Sequence, residues 1–300
     1  MSEIIDAWPA LPLEAWQDTC DTLHMWTQIV GKIRKTLTPL INHWWNVTLY
    51  VTARGLTTSP IPYGGRTFEI NFDFIDHKLD ILTSEGSTKR IDLAPKSVAQ
   101  FYQELMQSLH ALDIDVKIHA IPDEVANPIP FAEDITHKSY DPDSAHTFWR
   151  ILVSVDTVFK EFRARFIGKC SPVHFYWGSF DLAVTRFSGL RAPERPGADP
   201  ITREAYSHEV ISAGFWPGGG EIKGPAFYAY AAPEPSGFKT ARVQPEAAFY
   251  HNGMSEFFLM YDDVRRAESP KTMLLDFLQS TYAGAADLAK WDRAALERSA

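Results

Sequence analysis

One motif occurs twice in this chain of 300 residues. Gly31-Lys32, a proline, Trp44 and Leu49-x-Val51-Thr52 return as Gly168-Lys169, Pro172, Trp177 and Leu182-x-Val184-Thr185. In one register Trp44 falls on Trp177, Leu49 on Leu182, Val51 on Val184 and Thr52 on Thr185. The register then slips, and Gly55-Leu56 meets Gly189-Leu190. A doubling of this kind predicts two similar halves facing each other, which bounds the architecture before any reaction is considered.

The pattern around the repeated segments supplies the elements. Leu13, Trp16, Cys20, Leu23 and Val30 recur at helical spacing, which predicts a helix to about Val30 ended by Gly31. Its counterpart carries Phe148, Leu152, Val155, Phe159, Phe162 and Phe166 on one stripe, with Asp143 or Ser144 as the capping residue. A strand is expected after each helix. In the first, Val47, Leu49 and Val51 oppose Trp44, Asn46, Thr48 and Tyr50. In the second, Phe180, Leu182 and Val184 oppose Trp177, Ser179 and Asp181.

Further strands are read at residues 67–75, 78–83 and 89–93, then at 206–215, 226–231 and 256–262. Helices open at Pro95-Lys96-Ser97 and at Ser269-Pro270-Lys271-Thr272, the latter with proline in the favoured first turn. Residues 1–12 read as an irregular arm. The predicted fold is α+β: two pseudo-symmetric helix–antiparallel sheet–helix repeats, at residues 13–120 and 144–292, joined by a linker at 121–143. Their sheets are expected either to join edge to edge or to pack around a shared pocket.

Composition narrows the class. A 45% hydrophobic and 13% aromatic content suffices for a real core. The formal charge of -9 argues against a nucleic-acid partner. Residues 36–53 carry no charge until Arg54, but Pro39, Asn42, His43 and Asn46 favour a buried strand over a membrane span. Two cysteines without metal or disulfide spacing, and no secretory signal pattern, lead to the expectation of a cytoplasmic protein.

The segments IVGKIR and NHWWNVTLYVTARGLTT in the first half, and FRARFIGKCSPVHFYWGSFDLAVTRFSG, YSHEVISAGFWPG and AFYAYAAPEP in the second, resemble an uncharacterised bacterial family, a domain of unknown function of about this length. The resemblance covers nearly the whole chain and implies no activity, so every functional residue must be argued from its chemistry.

Reactive side chains concentrate in the second half. His174, His208, Glu209 and Asp181 are the candidates for proton exchange, and Arg186 could hold an anionic group with its planar fork. Lys169, Trp177, Trp216 and Tyr228 complete the expected ligand-binding set. The competing reading is a polar network tying strands together. Ser207-His208-Glu209 is not read as a catalytic triad, because neighbours on a strand point to opposite faces. Asp134 with His137 reads as a side-chain-bonded turn rather than a metal site, and neither a metal nor a cofactor is expected. Gly218-Gly219-Gly220 lacks the residues of a phosphate loop. The tryptophans and tyrosines could instead line a cavity for a small polar, aromatic, sugar-like or cationic ligand. Two alternatives remain beside an enzyme: a binding protein without turnover, and an interaction module whose tryptophan faces meet another chain, a second copy included.

Overall fold

The computed structural model describes residues 6–298; the first five residues of the expected N-terminal arm lie outside them. Helix α1 (Leu13–Leu37) opens the fold, followed by a 3-10 segment at Asn42–Val47. Strands β1 (Tyr50–Val51), β2 (Gly55–Thr57), β3 (Ile61–Tyr63), β4 (Arg66–Asp73), β5 (Lys78–Thr83) and β6 (Thr88–Asp92) come next, then helix α2 (Val98–His110). The second half begins with α3 (Pro142–Ala164). It continues through β7 (His174–Tyr176), β8 (Asp181–Arg191), α4 (Pro200–Ala205), β9 (His208–Trp216) and β10 (Ala226–Ala232). After β11 (Phe249–His251) and β12 (Glu256–Met260) it ends in α5 (Tyr261–Arg265), α6 (Pro270–Leu288) and α7 (Arg293–Leu296).

Helices and two antiparallel sheets make the fold α+β. The first sheet runs β1-β2-β4-β5-β6 with β3 on β4, and the second runs β11-β12-β10-β9-β8-β7. They meet at a single antiparallel pair, in which Leu49 and Phe175 exchange both backbone hydrogen bonds at 2.9 Å. One continuous hydrophobic core reaches from Leu11 to Trp291 and takes in side chains from both sheets.

Strand alternation divides the second sheet into two faces. Leu182, Val184, Ile211, Phe215, Phe227, Phe257 and Leu259 belong to the main core, where α3 packs on β8 and α6 on β9 and β10. Each such side chain gains about 2 kcal/mol from leaving water, which is what holds the sheet against its helices. On the other face, register brings small residues together at the centre: Ala183 opposite Gly214 and Thr185 opposite Ser212. Tyr228 and Tyr230 follow on the next strand, opposite Gly214 and Ser212. Small side chains flanked by large ones leave a hollow in the middle of this face.

Several local expectations are corrected. Helix α1 does not stop at Gly31 but continues to Leu37. Gly31 is there for contact: a Cβ on it would lie 2.2 Å from the Trp177 indole. Residues 44–48 do not form a strand. His43 and Trp44 take left-handed backbone angles, φ 59° and 61°, inside the 3-10 segment. Such residues cost of order 1–3 kcal/mol each and need outside support. Here α4 packs against the segment, and the Glu204 carboxylate accepts from the His43 backbone N–H at 3.2 Å. Trp177 to Phe180 form the turn between β7 and β8 rather than a strand, with Phe180 at φ 58°. The repeated tryptophans therefore stand in different conformations, and Leu49 lies beside Phe175 rather than in the place of Leu182. Asp141, not Asp143 or Ser144, caps α3, accepting from the Ser144 backbone N–H at 3.1 Å ahead of Pro142.

Candidate functional site

The hollow on the second sheet is a cavity of about 570 Å³. Its floor is Ala183, Thr185, Phe187, Val210 and Ser212, and its side walls are Tyr176, Trp177, Tyr228 and Tyr230. The 3-10 segment contributes His43, Trp44 and Trp45 as a roof, α4 adds Ile201 and Thr202, and Tyr206 stands just beyond α4. Lys35 on α1 and Asp123 and Glu124 from the connecting segment reach the mouth. Both halves of the chain thus build one chamber.

The acidic end is the most ordered part. Asp181 starts β8 and is only 5% exposed. The Ser179 hydroxyl donates to it at 2.5 Å, and the Tyr228 hydroxyl donates to its other oxygen. Burial pushes its carboxyl up from 3.8 to about 6, against the lowering effect of these two donors. Glu124, at the mouth, is also pushed up, by loss of water and then by the charges of Asp181 and Asp123. Gly178 makes room for it, since a Cβ there would stand 2.6 Å from the Glu124 carboxylate. On β12, burial followed by the Asp181 charge raises Glu256 to about 7.

Helix α1 fixes this end. Gln28 exchanges hydrogen bonds with the Asp123 backbone, both at 2.8 Å, and Lys32 pairs with the Asp123 carboxylate at 2.7 Å. His24 meets the Gly178 carbonyl at 2.8 Å. The Trp177 indole N–H donates to the Val47 carbonyl at 2.7 Å, tying the wall to the roof.

The opposite end is basic. The His43 ring N–H at Nδ1 donates to the Glu204 carbonyl at 3.0 Å, which leaves Nε2 to accept from the Lys169 ammonium at 2.5 Å. Burial, then the Lys169 charge, holds His43 below its usual range. Lys169 also lies 4.8 Å from the Phe187 ring centroid and 5.5 Å from that of Trp45.

A family model described as a family of unknown function (DUF5996) matches residues 8–298. The chain belongs to this family. No curated protein and no solved structure matches it. The chemistry of this DUF5996 member is accordingly read from its own side chains.

Of the residues singled out in the sequence, Asp181, Trp177 and Tyr228 line the chamber. Lys169 touches its roof through His43. His174 is fully buried behind the wall, between the hydroxyls of Tyr176 at 3.3 Å and Tyr50 at 3.5 Å. Burial, followed by the Arg34 charge, lowers it to about 3, so it is a neutral imidazole. His208 lies edge-on to His43, 5.5 Å between ring centroids, outside the lining.

Ser207 and His208 do hydrogen-bond, at 3.0 Å, because Ser207 precedes β9 and escapes strand alternation. The Ser207 proton goes to the Glu204 carbonyl at 2.8 Å, so the serine accepts from His208 and is not activated by it. Glu209 follows on the strand after His208, and its Oε2 is buried with no hydrogen-bond partner among the described residues. Trp216 packs with Ile222, Phe258 and Met260 beyond Tyr228.

Arg186 is turned away from the chamber. It lies under α3 and α6 with its guanidinium 3.5 Å from the Phe162 ring centroid and 4.2 Å from that of Tyr282, and it donates to the Phe162 carbonyl. Alternation predicts this, since Thr185 and Phe187 on either side face the cavity. Trp45 belongs to the tryptophans expected to line a cavity, whereas the sequence does not single out His43, Lys35 and Glu124 for the site, because they meet the second sheet only through tertiary packing.

No group of three or more His, Cys, Asp or Glu is arranged to hold a metal ion among the described residues. Asp134 accepts from the His137 ring at 2.7 Å and from the backbone N–H groups of Thr136 and His137, which makes a turn. No helix among the described residues is long and apolar enough to cross a membrane.

Proposed function

We propose that this protein binds a small molecule in the chamber between the second sheet and the 3-10 roof. The observation that carries the reading is the cavity of about 570 Å³ carved by Ala183, Thr185 and Ser212 between tryptophan and tyrosine walls, with one buried carboxylate inside. Its size falls within the usual range for ligand sites, and few polar groups set among apolar walls is their usual chemistry. Ala183→Phe tests it by filling the floor. Fragments found by ligand-observed NMR against the wild type should lose binding to this variant, whose near-ultraviolet circular dichroism stays native. Hits that bind the filled protein as well as the wild type would remove the reading.

Turnover at the same place is the second reading, favoured by Asp181. A buried carboxyl raised to about 6 and bonded to Tyr228 is poised to give and take a proton near neutral pH. Under this reading Asp181 is the catalytic residue, while His174 and His208 stand outside. Loss of turnover in Asp181→Asn with ligand affinity retained is the outcome that selects it.

The pseudo-symmetric repeat enters as a proposal about how the chamber arose. Each half has a long helix, then a meander, then a helix, and β1-β2-β4-β5-β6 has the same order as β7-β8-β9-β10-β12. The pair Leu49–Phe175 would lie on the two-fold axis. Under this proposal only the second meander kept small residues at its centre and became a site.

A further inference from the structure

On the reading of the chamber as a ligand site, we infer that its ligand is an organic cation, with an ammonium or guanidinium group lodged between Asp181 and Glu124 and an apolar body along Trp177 and Tyr228. Among the described residues the inner carboxylate has neutral side-chain partners alone, the hydroxyls of Ser179 and Tyr228. Neither Asp181 nor Glu124 forms an ion pair with a Lys or Arg among the described residues, whereas Lys32 is already held by Asp123 at 2.7 Å. Lys35 rests over the Trp44 ring, 5.7 Å from its centroid. Two carboxylates that line one chamber, the charge of Asp181 raising the proton affinity of Glu124, are what an arriving cation would relieve.

The walls suit the same chemistry. Indole and phenol faces attract cations, and more strongly where water is excluded. An anion placed here would meet two carboxylates. Polarity along the chamber settles which end takes the charge. Asp181 and Phe187 are both on β8, and at ~3.3 Å per residue they lie ~20 Å apart. The Lys169 ammonium, hydrogen-bonded to His43, stands at the Phe187 end and repels a cation from it.

Titration of the full-length protein with agmatine and choline, followed by calorimetry and tryptophan fluorescence at pH 7.5, tests the assignment. Benzoate and 3,3-dimethylbutanol, the uncharged carbon analogue of choline, serve as the anionic and neutral probes. Agmatine or choline should bind at least about tenfold more tightly than dimethylbutanol, and Asp181→Asn should weaken that binding by about tenfold or more. Glu124→Gln at the open mouth does not threaten the fold, and it should weaken the cation severalfold. Unchanged cation affinity in Glu124→Gln overturns the assignment even if Asp181→Asn fails to fold. Equal or tighter binding of benzoate or dimethylbutanol overturns the charge but leaves the chamber a ligand site. Silence from all four probes removes both.

Discussion

Tyr228 reaches Asp181 by lying across Gly214, its strand partner on β9. A Cβ at Gly214 would stand 2.3 Å from the phenol carbon and oxygen. The glycine is thus what lets a tyrosine from β10 pass over β9 and donate to a carboxylate on β8. Gly214→Ala should push the ring aside and strip Asp181 of one of its two donors. Overpacking and the lost charge-assisted bond together should cost about 2 kcal/mol or more in urea unfolding. The variant should also lose most of its ligand affinity. An alanine variant with wild-type stability would mean the ring has another route.

The acid-facing and base-facing linkages of Asp181 and His174 oppose each other, which leads to a pH test. The folded Asp181 carboxyl keeps a proton that the unfolded chain gives up above pH 3.8, so this stability is full at low pH and is lost as pH rises through about 6. His174 is neutral when folded, while the unfolded imidazole takes a proton below pH 6.5. Its contribution is present above that and lost as pH falls toward about 3. The full spans are about 3 kcal/mol for Asp181 and about 5 kcal/mol for His174. Between about pH 4 and 6 the two slopes largely cancel. Asp181→Asn should remove one falling slope, so that stability rises with pH more than in the wild type between about pH 4 and 6, with Glu256 still opposing the histidine above pH 4.5. His174→Gln should unmask the carboxyls, Glu256 included, giving stability that falls over pH 4 to 7. Parallel pH profiles in the two variants would contradict the burial assigned to either group.

How much of this was legible in the sequence depends on how local the cause was. The stripe Phe148 to Phe162, the cap Ser97 and the Ser269-Pro270 start are nearest-neighbour physics, and α3, α2 and α6 form where that physics puts them. Strand β5 spans the expected Lys78–Thr83. The stretch Trp44–Leu49 alternates like a strand, but its backbone is set by α4 and by Arg34, which donates to the Asn46 carbonyl at 2.7 Å. Arg34 lies 12 residues back on α1, and α4 comes only in the second half of the chain. Gly31 read as a helix stop because a glycine looks the same whether it ends a helix or admits an indole. The cavity was the least legible feature, since small residues on adjacent strands become a hollow only once their register is known.

Gly31 and Trp177 make the second close approach through which α1 shapes the chamber. Gly31→Ala should expel the indole, break its bond to the Val47 carbonyl and loosen the roof, at about 1–3 kcal/mol of stability. Tryptophan fluorescence should shift to the red as the ring meets water. A blue-shifted or unchanged spectrum at wild-type stability would count against this packing.

Arg186 separates the two faces of β8 experimentally. Burial lowers its guanidinium to about 10, and its Nε and Nη1 have no hydrogen-bond partner among the described residues. Its compensation comes from the rings of Phe162, Phe166 and Tyr282 and from one carbonyl. Replacing a buried charge with an apolar side chain of similar reach is often neutral or stabilising. Arg186→Met should therefore unfold within about 1 kcal/mol of the wild type, or later, and bind agmatine or choline unchanged. Thr185→Val, one residue away on the chamber side, should alter binding, because Thr185 shares a hydrogen bond with Ser212 at 2.9 Å on the floor. If calorimetry finds the reverse, with Arg186→Met abolishing binding and Thr185→Val neutral, the chamber lies on the wrong face of the sheet and the ligand belongs under α3 and α6.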